Sequence, residues 1–206
     1  LDIPVVQSGS EMNLEQILEL KPQVVLMSIM DQTEEQIAAL EDAGVRVVVN
    51  VETDIEGAYE SIRLIGAVVG KDAEAEALVA SMQDAFGEIR EKAKGLDIAG
   101  KTVYFEVSPL EWGLWTAGAN TFMDEIAEML GLKNAFADVD GWAEISEEQV
   151  IARDPDYIVT ITMYFGEGPK PDEEIIGRVG WKDITAVANG AVYVADSSAI
   201  ARPGPR

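Results

Sequence analysis

The chain has no cysteine and no histidine. Without thiolates it cannot form disulfides, thiolate zinc sites or iron–sulfur clusters, and without imidazole it lacks a Ser-His-Asp triad and histidine-ligated metals. Basic residues are scarce: 15 Lys and Arg stand against 38 Asp and Glu, a formal net charge of −23. Phosphate backbones and anionic lipids repel such a surface, which removes nucleic-acid and polybasic membrane-surface functions. A halophilic or acid-adapted exterior is the plainest account of the charge. No apolar run approaches the ~18 residues of a membrane span, and Leu1 opens on folded-looking sequence without a signal peptide. Export would therefore require a targeting segment ahead of Leu1. Nucleotide fingerprints are absent as well: no G-x-G-x-x-G follows a strand, no G-x-x-x-x-G-K-[ST] occurs, and Gly166-Glu167-Gly168 runs straight into Pro169.

What is present is a long helix between two alternating α/β stretches. From Asp72 to Lys94, Ala75, Val79, Met82, Phe86, Ile89 and Ala93 recur at three- and four-residue steps, one stripe of a helix. Asp72 is its expected N-cap, Glu74 and Glu76 suit the positive end of the dipole, Arg90, Lys92 and Lys94 suit the negative end, and Gly95 stops it. Before it, Ile3–Val6 reads as a short strand, Ser8-Gly9-Ser10 as a turn and NLEQILEL as a helix ended by Pro22. Val24–Ile29 is a continuous apolar run, as in a parallel strand covered on both faces. Thr33 starts a helix to Ala43, Val45–Val49 is a further strand, and Asp54 caps a helix with Ile55, Tyr59, Ile62 and Ile65 on its apolar face. After the long helix come strands at 101–107, 157–162 and 191–195, helices at 120–130 and 146–152, and a short helical approach at 181–187. Three aromatic-bearing loops are expected at 108–115, 138–142 and 164–171. The fold class is α/β: two lobes with parallel-rich sheets, 1–70 and 96–206, joined by one backbone helix at 71–95.

Four collinear segments carry a family resemblance. GSEMNLE followed by EQILELKPQVVL, then WTAGANTFMDEIAEMLGLKNAF, GWAEISEEQVIARDPDYIV and VYVADSSAIARPGPR occur in order over nearly the whole chain. Together they resemble class III solute-binding proteins of ABC transporters, the group serving cobalamin, ferric siderophores and haem. The resemblance implies a first strand ahead of Leu1 and a final helix after Pro205-Arg206. A sheet without that strand would expose an unpaired edge: either another chain covers it, self-association being one way, or the chain is less stable than the longer protein.

The resemblance further implies a ligand held between the lobes, an ABC permease dimer as membrane partner, and a location on the outer face of the membrane, lipid-anchored in the longer protein. Trp142 matches a cleft-lining aromatic of the family, and Arg202 a polar or basic ligand contact. Trp112, Trp115 and Tyr164 join them from loop position alone. Packing under loops explains Trp112 and Trp115 equally well, and Arg202 has many acids to pair with. Glu15 and Glu148 match family positions, one per lobe, that meet permease arginines; exposed carboxylates suit bidentate guanidinium contacts. Glu147 competes with Glu148 for that role, and ordinary solvated helix charge explains either.

Aromatic walls with few cations, chiefly Arg202 with Arg206 and Lys170 as further candidates, suit a large, roughly neutral metal chelate. A corrinoid is favoured over a ferric siderophore, and over haem, which would need tyrosine ligation by Tyr164. The protein is read as a binding protein without catalytic residues, a resident cofactor or a resident metal. The enzymatic alternative is an α/β metal-dependent hydrolase using Asp138, Asp140 and Glu144.

Overall fold

A computed structural model of the chain describes residues 6–8, 11–28, 34–50, 54–162, 168–200 and 204. The chain divides into two compact units, Leu1–Glu52 and Thr53–Arg206. The division falls ahead of the helix capped by Asp54, so that helix groups with the long helix and the second sheet, whereas the pattern of the sequence groups it with residues 1–70.

In the first unit, β1 (Gln7–Ser8) and β2 (Glu11–Met12) pair antiparallel with Ser8 opposite Glu11. The strand expected at Ile3–Val6 lies outside the described residues except for Val6, and Gly9-Ser10 lies wholly outside them. Asn13 Oδ1 accepts the N–H of Gln16 at 3.0 Å and starts α1 (Leu14–Glu19). Lys21, directly before Pro22, has left the right-handed helical region at φ 49°. β3 (Val24–Ser28) and β4 (Arg46–Asn50) pair in parallel around α2 (Glu34–Asp42). Met27 packs with Ile17, Leu40 and Val45, and Val25 and Val47 lie against that cluster. Leu26, on the opposite face of its strand, is 41% exposed. The expected two-sided burial is therefore one-sided within this unit.

The second unit opens with α3 (Ile55–Val69), whose first turn is closed by the Gly57 N–H donating to Asp54 Oδ1 at 2.6 Å. Gly70 ends it in the left-handed region. Its buried residues are Ala58, Tyr59, Ser61 and Gly66, while Ile65, expected inward, is among the exposed hydrophobics. α4 spans Asp72–Lys94, the range expected, but its cap is Lys71, without a side-chain bond, and Asp72 is already helical. Along the stripe Ala75, Val79 and Ala93 are buried and Ile89 is exposed.

The two helices touch where Gly66 meets Ala75: a Cβ at position 66 would lie 2.5 Å from the Ala75 Cβ and 3.2 Å from the Lys71 carbonyl oxygen. Gly66→Ala gains about 1 kcal/mol of helix propensity but overpacks the contact by about 1–3 kcal/mol. The expected net result is a lower urea midpoint with unchanged slope; a raised midpoint would show that the helices separate freely.

Beyond α4 lies a mixed six-stranded sheet: β5 (Thr102–Glu106), β6 (Leu114–Ala117), β7 (Lys133–Asn134), β8 (Trp142–Ile145), β9 (Tyr157–Thr160) and β10 (Val192–Val194). The order is β10-β9-β5-β6-β8, with β7 also on β5. β10, β9, β5 and β7 are parallel; β6 is antiparallel to both β5 and β8. The expected strands at 101–107, 157–162 and 191–195 are present. The expected loops at 108–115 and 138–142 instead run into β6 and β8, an antiparallel ribbon.

α5 (Phe122–Met129), α6 (Glu147–Arg153), α7 (Pro171–Ile176), α8 (Thr185–Ala188) and α9 (Ser197–Ile200) complete the unit. β5 is buried on both faces, because successive side chains alternate sides. Val103 and Phe105 pack with Ala117, Phe122, Met123 and Ala127, whereas Tyr104 packs with Phe136, Val150, Ile158 and Trp181. The fold class is thus α/β, as expected, with antiparallel strands added to a parallel centre.

Candidate functional site

The β6–β8 ribbon sets two of the named tryptophans on one face, as diagonal neighbours. Trp115 lies opposite Glu144, and Ala117 opposite Trp142; directly opposed residues of antiparallel strands share a face. Leu114, Thr116 and Ile145 take the other face and are buried. Trp115 and Trp142 remain 39% and 45% exposed. The Trp142 ring rests 5.6 Å from that of Phe122, tilted by 54°, so a core aromatic supports it from below. Trp112 sits on a single 3-10 turn, Leu110–Trp112, and is the most exposed of the three.

Close backbone packing holds this face. A Cβ on Gly118 would lie 2.1 Å from the Val139 carbonyl oxygen. That contact lets the Ala119 N–H donate to Val139 O at 2.7 Å, with Gly118 and Gly141 N–H bonds of 2.8 Å on either side. Asn120 Nδ2 adds a bond to Asp140 Oδ1 at 2.7 Å. On the other flank the Ser108 hydroxyl donates to Gly113 O at 2.6 Å and accepts the Trp115 N–H at 3.2 Å. The result is a fixed, apolar, half-open aromatic surface with one carboxylate, Glu144, beside Trp115. It can stack on a flat or apolar molecule.

Trp112 lies just beyond the carboxyl end of β5, where open α/β sheets place their crevices. Tyr164 and Arg202, which follow β9 and β10 in the chain, lie outside the described residues, as does Arg206. Lys170 is exposed at the start of α7, its N–H donating to Glu173 Oε2 at 3.1 Å.

Of the docking candidates, Glu15 is exposed in the first turn of α1. Glu148 is exposed in the first turn of α6, with its carboxyl held below the usual glutamate range by its own backbone N–H and the Ser146 hydroxyl. Glu147 differs: its Oε2 accepts the indole N–H of the fully buried Trp181 at 2.8 Å.

The acids of the hydrolase alternative do not converge. Asp138 is held by Arg153 at 2.6 and 3.0 Å, Asp140 by Asn120, and Glu144 stands across from Trp115. Among the described residues no group of three or more acids could hold a metal ion.

Two groups were not visible from the sequence. Arg178 makes bonds of 2.7 and 2.9 Å to the two carboxylate oxygens of Glu106, inside the core. Burial pushes the Glu106 carboxyl up against the lowering pull of Arg178. The available signal was a glutamate closing the apolar run TVYFE. The second is a pocket of about 670 Å³ between α3, α4 and α5, lined by Tyr59, Phe86, Arg90 and Glu125 among others. Its Glu125 carboxylate accepts the first α3 N–H, that of Ile55, at 2.8 Å.

Residues 1–199 match the family model described as periplasmic binding protein. An ABC transporter substrate-binding lipoprotein of Bacillus subtilis is 37% identical, over 94% of this chain and 61% of that protein. A cobalamin-binding protein of Halobacterium salinarum is 30% identical, over 98% of this chain and 55% of that protein. The crystal structure of a possible iron-binding, periplasmic solute-binding protein of Staphylococcus epidermidis superposes with a TM-score of 0.80 at 28% identity, covering 96% of this chain and 76% of that one. The chain thus spans 61% and 55% of the lengths of these two curated relatives. With four motif segments, the mixed α/β architecture and a match over residues 1–199 in agreement, the chain belongs to the periplasmic binding protein family.

Proposed function

We propose that the chain is the ligand-holding part of an extracytoplasmic solute-binding protein that takes a metal chelate, a corrinoid in preference to a ferric siderophore or haem, and delivers it to an ABC importer. The observation that carries this reading is the tryptophan-faced β6–β8 ribbon. Trp115 and Trp142 offer a flat apolar surface whose charged neighbour on the ribbon is a carboxylate. Such a wall suits a bulky, weakly charged ligand and disfavours an anionic catecholate chelate, which asks for clustered cations. The relative named for cobalamin supports the corrinoid preference. Among the described residues no helix is long and apolar enough to cross a membrane; the relative named a lipoprotein supports a lipid anchor in the longer protein.

The test is a titration of the intact protein with cobalamin, a ferric siderophore, haem and molybdate, read by tryptophan fluorescence. Cobalamin is expected to bind most tightly. Trp142→Ala should weaken it roughly thirtyfold, the effect of losing about 2 kcal/mol at a stacked aromatic. Preference for an anionic chelate would remove the corrinoid assignment; full affinity in Trp142→Ala would remove the ribbon from the site.

A further inference from the structure

The two carboxylates that open α6 differ in what they face. Ser146 and Gln149 form a reciprocal capping box: the Gln149 N–H donates to Ser146 Oγ at 3.3 Å, and the Ser146 N–H donates to Gln149 Oε1 at 2.8 Å. Glu147 and Glu148 follow at once. The Trp181 side chain has a single polar group, its indole N–H, and the residue is fully buried. Its partner is Glu147 Oε2, at 2.8 Å. A buried donor left without an acceptor is costly, so the Glu147 carboxylate is committed inward.

Trp181 is itself fixed from behind. The Arg178 guanidinium lies 4.5 Å from its ring centre, and the Tyr104 ring lies 6.5 Å away. Arg178 is bound to both oxygens of Glu106, on the central strand β5. Packed and hydrogen-bonded side chains therefore run without a gap from β5 to the first residue of α6. Glu148, one residue on, is exposed, and its own backbone N–H and the Ser146 hydroxyl hold its carboxyl below the usual glutamate range.

We infer that Glu147 and Trp181 form a positioning pair that fixes the first turn of α6, so that Glu148 alone meets a guanidinium on the membrane permease. This rests on the docking reading of Glu148 given by the family resemblance. The role of Glu147 is as acceptor rather than as charge, and that distinguishes the two neighbours. Glu147→Gln keeps an oxygen for the indole N–H, whereas Glu148→Gln discards the charge the permease reads.

The experiment measures uptake in a reconstituted transporter beside ligand affinity in solution, using the intact protein. Glu147→Ala is expected to lower uptake about tenfold with ligand affinity unchanged, and to move the Trp181 indole N–H resonance. Glu147→Gln is expected to restore both uptake and resonance, and Glu148→Gln to impair uptake while leaving the resonance in place. Equal damage from Gln and Ala at position 147 would make its charge the operative feature and overturn the inference. Normal uptake in Glu147→Ala, with Glu148→Gln impaired, would overturn it while sparing the docking reading. Normal uptake in Glu148→Gln and Glu148→Arg would overturn both.

Discussion

Arg178→Met is expected to lower the unfolding free energy by about 3–5 kcal/mol at neutral pH, because it strands a buried carboxylate. The Glu106 and Arg178 side chains are each 2% exposed, and both Glu106 carboxylate oxygens accept from the guanidinium. Burial raises the Glu106 carboxyl, and the Arg178 bonds are the main opposing influence. Removing the guanidinium leaves the upward push in place, so in the variant Glu106 takes up a proton on folding. A carboxyl whose folded pKa is raised above its unfolded value contributes stability that is complete below the unfolded pKa and is lost as pH rises through the folded one. The deficit of the variant relative to the parent should therefore be smallest below the ordinary glutamate range and should widen towards neutrality. Denaturant unfolding of both proteins across that pH range measures it. Pairing Arg178→Met with Glu106→Leu should recover most of the loss, since no charge then remains to be buried. A deficit that does not vary with pH would mean that water reaches Glu106.

The double reversal of Glu15 and Glu148 to Arg should abolish uptake and leave ligand affinity unchanged. Both side chains are exposed on first helical turns, one in each compact unit. Neither belongs to the tryptophan face. Placing a cation opposite a permease arginine turns an attraction into a like-charge contact, and such juxtaposition costs several kcal/mol. Each single reversal should give a partial loss. Uptake by a reconstituted transporter, set beside solution affinity, is the measurement. Reduced affinity would put a glutamate in the ligand site; undiminished uptake would make both ordinary surface charge.

Local signals made the long helix legible. Asp72–Lys94 follows from the apolar stripe and the glycines at 70 and 95, because helix periodicity and stop residues are properties of neighbouring positions. β5, β9 and β10 follow from short apolar runs for the same reason. The ribbon is different. Its strands are four residues each, flanked by Gly113, Gly118 and Gly141, and they exist through pairing with one another. Read alone, each looks like an aromatic loop, so Trp115 and Trp142 could be named as candidates but not placed on a common face. Glu106 and Arg178 lie 72 residues apart, and Glu147 and Trp181 lie 34 apart. Only the tertiary fold brings such pairs together, and in so acidic a chain a glutamate carries little information until its partner is known.

The ribbon also bears on how fast and how firmly a ligand could be held. Trp115 and Trp142 stand on paired backbone, and Trp142 is braced by Phe122. Little loop freedom remains for either to lose when a planar molecule arrives, and the braced Trp142 ring has little rotamer freedom left as well, so much of the ordering penalty that usually taxes a loop-borne aromatic is already met in the folded protein. Trp112, on an exposed 3-10 turn, keeps that freedom. Encounter with the ribbon then needs no rearrangement of the two paired strands, and differences between chemically related ligands would be expressed chiefly in how long each stays.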